Sequence, residues 1–250
     1  MLNYNGNFID QTNLSFSNRA FLYGDSVFET IKVVKNKALF WEEHYLRLMS
    51  SMRILKIEIP NEFTPDYLES QIKKTISSIS ELFTGRVRLT VFREGEGLYL
   101  PKSNQASFVI NSFQNEVFSF ETKFKTYKVD IYKDYLIQSN LLSNLKTSNR
   151  LINVICSIYS HENGLDNCIL LNENKLVTEF LNGNIFLVKD NVVKTPPINS
   201  GCLNGVMRNK IIELIIIILL DILKLKLVAI PSEPRGVFPA VIKLISKKKT

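Results

Sequence analysis

The chain has 250 residues, 45% of them apolar and 22% charged, with 31 Lys+Arg against 24 Asp+Glu and a formal charge of +7. A chain this apolar buries enough surface to offset its ordering entropy, which excludes a disordered class. Ten Gly and eight Pro exclude collagen-like and low-complexity classes, and the length suits one large domain or two of about 100–150 residues.

The first ten residues, Met1 to Asp10, lack the basic and apolar regions of a secretory signal. Asn3 to Ile9 reads as a hairpin turning at Asn5-Gly6. Ser26 to Val34 is a strand rich in β-branched and aromatic residues, and Ala38 to Phe40 returns as its partner. Trp41, Tyr45, Leu48, Met49 and Met52 recur at helical spacing, so Trp41 to Leu55 is an amphipathic helix. Thr64-Pro65 starts a second helix that runs to about Leu82. Arg86 to Phe92 and Ala106 to Phe113 are strands. Ser112 to Lys123 is polar without a period and is the expected linker, which gives domains at 1–112 and 125–250 with 113–124 between them.

The second half resumes with a strand at Lys125 to Tyr132. A helix runs from about Arg150 to Glu162 and ends at Asn163-Gly164. Strands follow at Asn167 to Leu171, Leu176 to Glu179, Asn184 to Lys189 and Val192 to Lys194, and then a tight loop from Ser200 to Gly205 leads into a helix. Within Ile211 to Ile230 the unbroken apolar run is only Leu214 to Leu220. Glu213, Asp221, Lys224 and Lys226 interrupt it, so the segment reads as a buried helix and then a strand, Leu225 to Ile230, rather than a membrane span. Strands and helices mix without a regular βαβ alternation, and the expected fold class is α+β.

Charge and cysteine content narrow the partners. From Asn204 onward there are nine Lys+Arg and three Asp+Glu, which leaves 22 against 21 in the first 203 residues. A nucleic-acid binder carries its basic residues along a working face. Here the excess sits at one end, so a solvated basic tail is expected and no nucleic acid. Cys156, Cys168 and Cys202 form no C-x-x-C pair, and His44 and His161 are the only histidines. The expectation is buried, reduced thiols in a cytoplasmic protein, with no disulfide framework and no metal site.

No dinucleotide fingerprint, P-loop or nucleophile elbow is present, and residue chemistry by itself stops at a two-domain α+β protein. Four segments carry the reading further. They are Asn18-Arg19-Ala20-Phe21-Leu22-Tyr23-Gly24-Asp25-Ser26-Val27-Phe28-Glu29-Thr30, then His44-Tyr45-Leu46-Arg47-Leu48, then Leu145-Lys146-Thr147-Ser148-Asn149-Arg150-Leu151. The fourth runs from Val177-Thr178-Glu179 through Asn184 to Val188 and Thr195-Pro196-Pro197 to Ser200–Arg208. In this order they resemble the class IV aminotransferases, the fold-type IV enzymes that use pyridoxal 5′-phosphate (PLP). That family includes branched-chain and D-amino-acid aminotransferases and 4-amino-4-deoxychorismate lyase.

The resemblance implies a two-domain fold-type IV architecture and a homodimer, with a loop in the Arg93 region reaching the neighbouring subunit's active site. It implies that Lys146 holds the aldehyde of PLP as a Schiff base and that Glu179 pairs with the pyridine nitrogen. It also implies that Arg47 and the backbone of Gly205, Val206 and Met207 hold the phosphate. Tyr23, Phe28 and Arg93 are the candidates for contact with an amino-acid-like substrate. Met207 stands where the family often has Thr. Near the end, Gly236 to Ile245 lacks the family's Thr-Asn and the Gly of the Gly-Ile that follows it.

Two reactions compete, transamination and the elimination of pyruvate that leaves 4-aminobenzoate for folate synthesis. Lys146-Thr147-Ser148-Asn149-Arg150-Leu151 resembles the lyases and D-amino-acid enzymes. The Arg-x-His carboxylate trap of the latter is absent, because Glu94-Gly95 follow Arg93. Glu29 sits where lyases often have Thr. The lyase is slightly favoured, and a non-catalytic member of the fold is the alternative.

Overall fold

The computed structural model describes residues 2–10, 15–114, 126–190, 192–221 and 240–243. The chain divides into two compact units. One is Met1–Ser119 with Lys146–Asn149, and the other is Phe120–Leu145 with Arg150–Thr250. The division is therefore not sequential, because four residues around the candidate lysine return to the first unit.

The first unit is a six-stranded antiparallel sheet with helices on one face. Its elements are β1 (Leu2–Tyr4), β2 (Asn7–Ile9), α1 (Arg19–Tyr23), β3 (Ser26–Val34), β4 (Lys37–Ala38), α2 (Trp41–Ile54), α3 (Pro65–Ser77), β5 (Gly85–Arg93) and β6 (Ala106–Gln114). The strand order is β2-β1-β6-β5-β3-β4. Asn5 and Gly6 both take positive φ, as the two-residue turn between β1 and β2 requires. Strand alternation puts Val27, Ile31 and Val33 of β3 and Val87, Leu89 and Val91 of β5 on one face. There they bury against Leu48 and Met52 of α2 and Leu68, Ile72 and Ile76 of α3. The Thr64 side chain accepts from the Tyr67 amide and caps α3, with Pro65 at its first position. That helix ends at Ser77, short of the Leu82 expected, and β6 continues through Gln114 into the expected linker. Residues 115–124 of that linker lie outside the described residues.

The second unit holds β7 (Val129–Ile131), α4 (Leu151–Glu162), β8 (Asn167–Leu171), β9 (Val177–Phe180), β10 (Ile185–Lys189), β11 (Val192–Lys194), α5 (Val206–Asp221) and β12 (Ala240–Lys243). The strands form two three-stranded sheets, β7-β8-β9 and β11-β10-β12. Tyr132, Cys156, Cys168 and Leu170 form a buried cluster. All three cysteines are free and buried. Burial, reinforced by Cys168 alongside, pushes the Cys156 thiol up to about 12. Among the described residues no helix is long and apolar enough to cross a membrane. The expected strand at Leu225 to Ile230 lies outside the described residues.

Candidate active site

The strand β3 organises the candidate residues of the first unit. Its partner β4 pairs only with Val33 and Val34, and the Lys146 segment takes the edge at the other end of the strand. The Phe28 amide donates to the Lys146 carbonyl at 2.9 Å, and the Ser148 amide donates to the Ser26 carbonyl at 3.1 Å. Val27 bridges Thr147, and the Ser26 hydroxyl donates to Ser148 Oγ at 2.7 Å. This short ladder fixes the lysine's backbone. Its amine lies 4.6 Å from the Phe28 ring centroid, where the negative face of the ring attracts a cation. The half-buried Lys146 is thus no freely solvated surface side chain.

A second cation shares that ring. Arg88 on β5 places its guanidinium carbon 3.6 Å from the Phe28 centroid. Thr30 of β3 is the residue in register with Arg88, so Arg88, Thr30 and Phe28 share the sheet face opposite the apolar core. Burial draws the Arg88 guanidinium below its ordinary value, and it stays cationic. Arg88 is a candidate that the sequence does not single out. Its only signal is the polar alternation Arg86, Arg88, Thr90 along β5, which a solvated sheet face produces equally well.

One residue along β3, Glu29 points to the other face and meets α2. Its Oε1 accepts from Arg47 Nε at 2.8 Å, and its Oε2 accepts from a second Arg47 nitrogen and from His44 Nδ1, the latter at 2.7 Å. The Glu29 and Arg47 side chains are 2% and 11% exposed. Burial alone would raise the Glu29 carboxyl. The Arg47 charge and hydrogen bonds, with those of His44, outweigh it and hold the carboxyl at about 2. Arg47 and Lys146 therefore converge on consecutive residues of one strand from its two faces.

Arg93 requires a correction. The resemblance offers it as a candidate for contact with the substrate. It is 6% exposed and spends its guanidinium on this chain's own acceptors. Nε donates to Asp25 Oδ2 at 2.9 Å, Nη2 to the Leu55 carbonyl at 2.6 Å, and Nη1 to the Lys56 carbonyl at 2.8 Å and to the Asn104 side chain. Strand β5 runs through Arg93, and the turn begins after it. Tyr23 is exposed at the end of α1, its ring 5.8 Å from that of Tyr99.

In the second unit, Glu179 lies inside β9 and is 5% exposed. Its Oε2 accepts from the Leu203 amide at 2.7 Å. That bond ties Glu179 to the turn that opens α5. Gly205 and Val206 are buried there and Met207 is partly so, at the point where the first helical N–H groups lack intrahelical partners. A Cβ on Gly205 would meet Asn184 Oδ1 at 2.0 Å, and Asn184 is itself held by its donation to the Leu203 carbonyl at 2.8 Å. A side chain at position 205 would have to displace Asn184 from that bond.

These residues fit PLP by their chemistry. A held amine beside a ring suits an aldehyde, a buried carboxylate suits a protonated pyridine, and a helix start and a fixed guanidinium suit a phosphate. Among the described residues no group of three His, Cys, Asp or Glu side chains converges as a metal site would.

Comparison with known proteins agrees with this chemistry. The model of the family described as amino-transferase class IV matches residues 26–218. A Methanocaldococcus jannaschii protein that carries the name branched-chain-amino-acid aminotransferase is 29% identical over 214 residues, 84% of this chain and 73% of that protein. Aminodeoxychorismate lyase of Vibrio harveyi is 27% identical over 210 residues, 83% of this chain and 75% of that protein. Among solved structures, the branched-chain aminotransferase of Thermoproteus uzoniensis superposes with a TM-score of 0.75 over 85% of this chain and 73% of its own. At 21% identity it is evidence of fold alone. The fold is that of the fold-type IV enzymes, and with the family model spanning most of its length this chain belongs to the class IV aminotransferases, whose enzymes are PLP-dependent.

Proposed function

We propose that this protein carries PLP on Lys146 and acts on an amino-acid-like substrate that bears a carboxylate. The observation that carries the reading is the placement of Lys146, clamped to the edge of β3 with its amine at the Phe28 ring and Arg88 at the same ring. Lys146 Nζ would hold PLP and would serve as the base that moves the proton at the substrate's α-carbon. Arg47, oriented by Glu29, and the amides of Gly205 to Met207 hold the phosphate. Glu179 holds a proton on the pyridine nitrogen. Phe28 and Tyr23 wall the substrate side, and Arg88 receives the carboxylate. PLP, when bound, supplies an electron-withdrawing ring conjugated to the reacting carbon.

Of the two reactions, we favour elimination of pyruvate from 4-amino-4-deoxychorismate. The use of Arg93 inside the chain supports this, since the arginine that would open a D-amino-acid carboxylate trap is already committed. Glu29, buried in its ion triad where lyases often have Thr, supports transamination as the second reading. The enzyme works as a cytoplasmic homodimer. Borohydride reduction of the PLP-loaded protein, then peptide mapping, should find the pyridoxyl group on Lys146. Label on another lysine would refute the assignment. Release of 4-aminobenzoate and pyruvate, against keto-acid formation from D-alanine or L-leucine with 2-oxoglutarate, decides between the reactions.

A further inference from the structure

Arg19, Arg47 and Arg93 of the first unit each bond a carboxylate of the same chain. Among the described residues Arg86 and Arg88 meet none. These two stand two residues apart on β5, so both point to the sheet face opposite the apolar core, about 7 Å apart along the strand. The register sets Thr30 and Lys32 of β3 beside them on one side and Asn111 and Phe113 of β6 on the other. Between Phe28 and Lys32, Arg86 and Thr90, and Val109 and Phe113 this face carries no acidic residue. Lys32 lies directly opposite Arg86, and like charges in register weaken a sheet.

Aromatic rings hold both guanidinium groups. That of Arg88 lies over Phe28, and the Arg86 guanidinium carbon lies 5.4 Å from the Phe113 centroid. A ring meets the flat face of a guanidinium and leaves the N–H groups at its edge for other acceptors. Those acceptors are missing. Arg88 Nε donates to Thr90 Oγ1 at 3.3 Å, and its terminal nitrogens meet no acceptor among the described residues. Arg86 Nε is buried with no hydrogen-bond partner, which a buried N–H rarely lacks. The Lys146 amine gives the pair a direction. It shares the Phe28 ring with Arg88, and Arg86 is the next position of that face along β5, away from Phe28.

We propose that Arg86 is a specificity-determining residue that receives a second carboxylate, so that the preferred substrate is an amine bearing two carboxylates. This rests on the reading that Arg88 receives the first. 4-Amino-4-deoxychorismate carries two carboxylates, as glutamate does, whereas alanine and leucine carry one. Each guanidinium fork can bond both oxygens of a carboxylate at once, and the interval along the strand separates the two anions. The anions would also relieve the repulsion that Lys32, Arg86 and Arg88 impose on this face.

The test measures, by calorimetry on the PLP-loaded full chain, the binding of glutarate and of its monoamide, which keeps the length and loses one charge. Glutarate should bind about 10–100-fold tighter, the worth of one charge-assisted contact. In Arg86→Gln that preference should fall to within about threefold. Arg86→Lys keeps the charge and loses the fork, so its preference should lie between the two, and it carries the test should Arg86→Gln fail to fold. KM for whichever dicarboxylic amine the wild type turns over should rise about tenfold in Arg86→Gln with kcat held within about twofold, the pattern of lost uniform binding. No preference for glutarate in the wild type, or a wild-type preference retained in either variant, would overturn the second carboxylate site. So would a wild type that turns over D-alanine or L-leucine in preference to both 4-amino-4-deoxychorismate and glutamate. A wild type that takes up no PLP overturns the functional reading instead, and the glutarate preference of that same chain then decides the Arg86 site separately.

Discussion

Glu179→Gln isolates charge from shape. The carboxylate is buried, and its Oε2 accepts from the Leu203 amide ahead of α5. A glutamine side chain keeps a carbonyl oxygen for that N–H, so the turn and the helix start survive and only the negative charge is lost. A neutral partner holds the pyridine proton less well, and the ring withdraws electrons less strongly. Carbanion formation lies on the path of both candidate reactions, so both slow. One lost charge-assisted contact at a preorganised site costs about 2–4 kcal/mol, or roughly 10²–10³ in rate. In the proposed site Arg47 and the amides of Gly205 to Met207 hold the phosphate without help from Glu179, so cofactor affinity should fall less. Steady-state kinetics beside a PLP titration checks this, and unchanged turnover would remove Glu179 from the chemistry.

At the scale of elements, β3 and α2 are joined by packing and also by the Glu29–His44–Arg47 triad. A Glu whose folded carboxyl sits at about 2, against 4.5 ordinarily, adds stability that is complete above about 4.5 and lost as pH falls toward 2. Glu29→Gln leaves the Arg47 charge buried without its carboxylate, a loss of about 3–5 kcal/mol at neutral pH for a broken buried pair. Urea denaturation should therefore show a wide gap between wild type and variant at pH 7 that narrows steadily below pH 4. A gap of constant width down to pH 2.5 would show that Glu29 carries no net charge in the fold at pH 7.

The sequence made β3, α2 and α4 legible, because β-branched runs and helical spacing of apolar residues express themselves locally. It could not reveal the triad. His44, Arg47 and Glu29 look like surface residues of a helix and a strand until α2 lies across the sheet. Arg88 was hidden for the same reason, since an alternating polar face says nothing about whether an aromatic ring covers it. The motif singles out Lys146 and Glu179 as candidates, but does not show that Lys146 extends the edge of β3. The sequence could not show that Arg93 is held within the chain, because its acceptors, the carbonyls of Leu55 and Lys56, lie at the end of α2.

Each of the two units carries exposed apolar surface. In α4, Leu151, Val154, Ile155 and Ile158 recur at i, i+3, i+4 and i+7 and are 69%, 53%, 38% and 53% exposed. In the first unit, Leu98, Tyr99 and Leu100 of the turn after β5 are exposed. Folded monomers seldom leave such continuous apolar stripes in water, and an obligate interface covers about 2,000 Å² or more of mainly apolar surface. A second copy of the chain is the partner that the family resemblance implies. Light scattering at micromolar concentration should give about twice the 28.7 kDa of one chain. An apolar interface is insensitive to screening, so the mass should hold as salt is raised to molar levels, where an interface of exposed ion pairs would weaken. Ile158→Asp places an unpaired carboxylate in the α4 stripe. It should shift the population toward monomer while leaving helix content unchanged, because the side chain is exposed within its own unit. A wild-type monomer, or an Ile158→Asp protein that remains fully dimeric, would show that α4 faces solvent in the working enzyme.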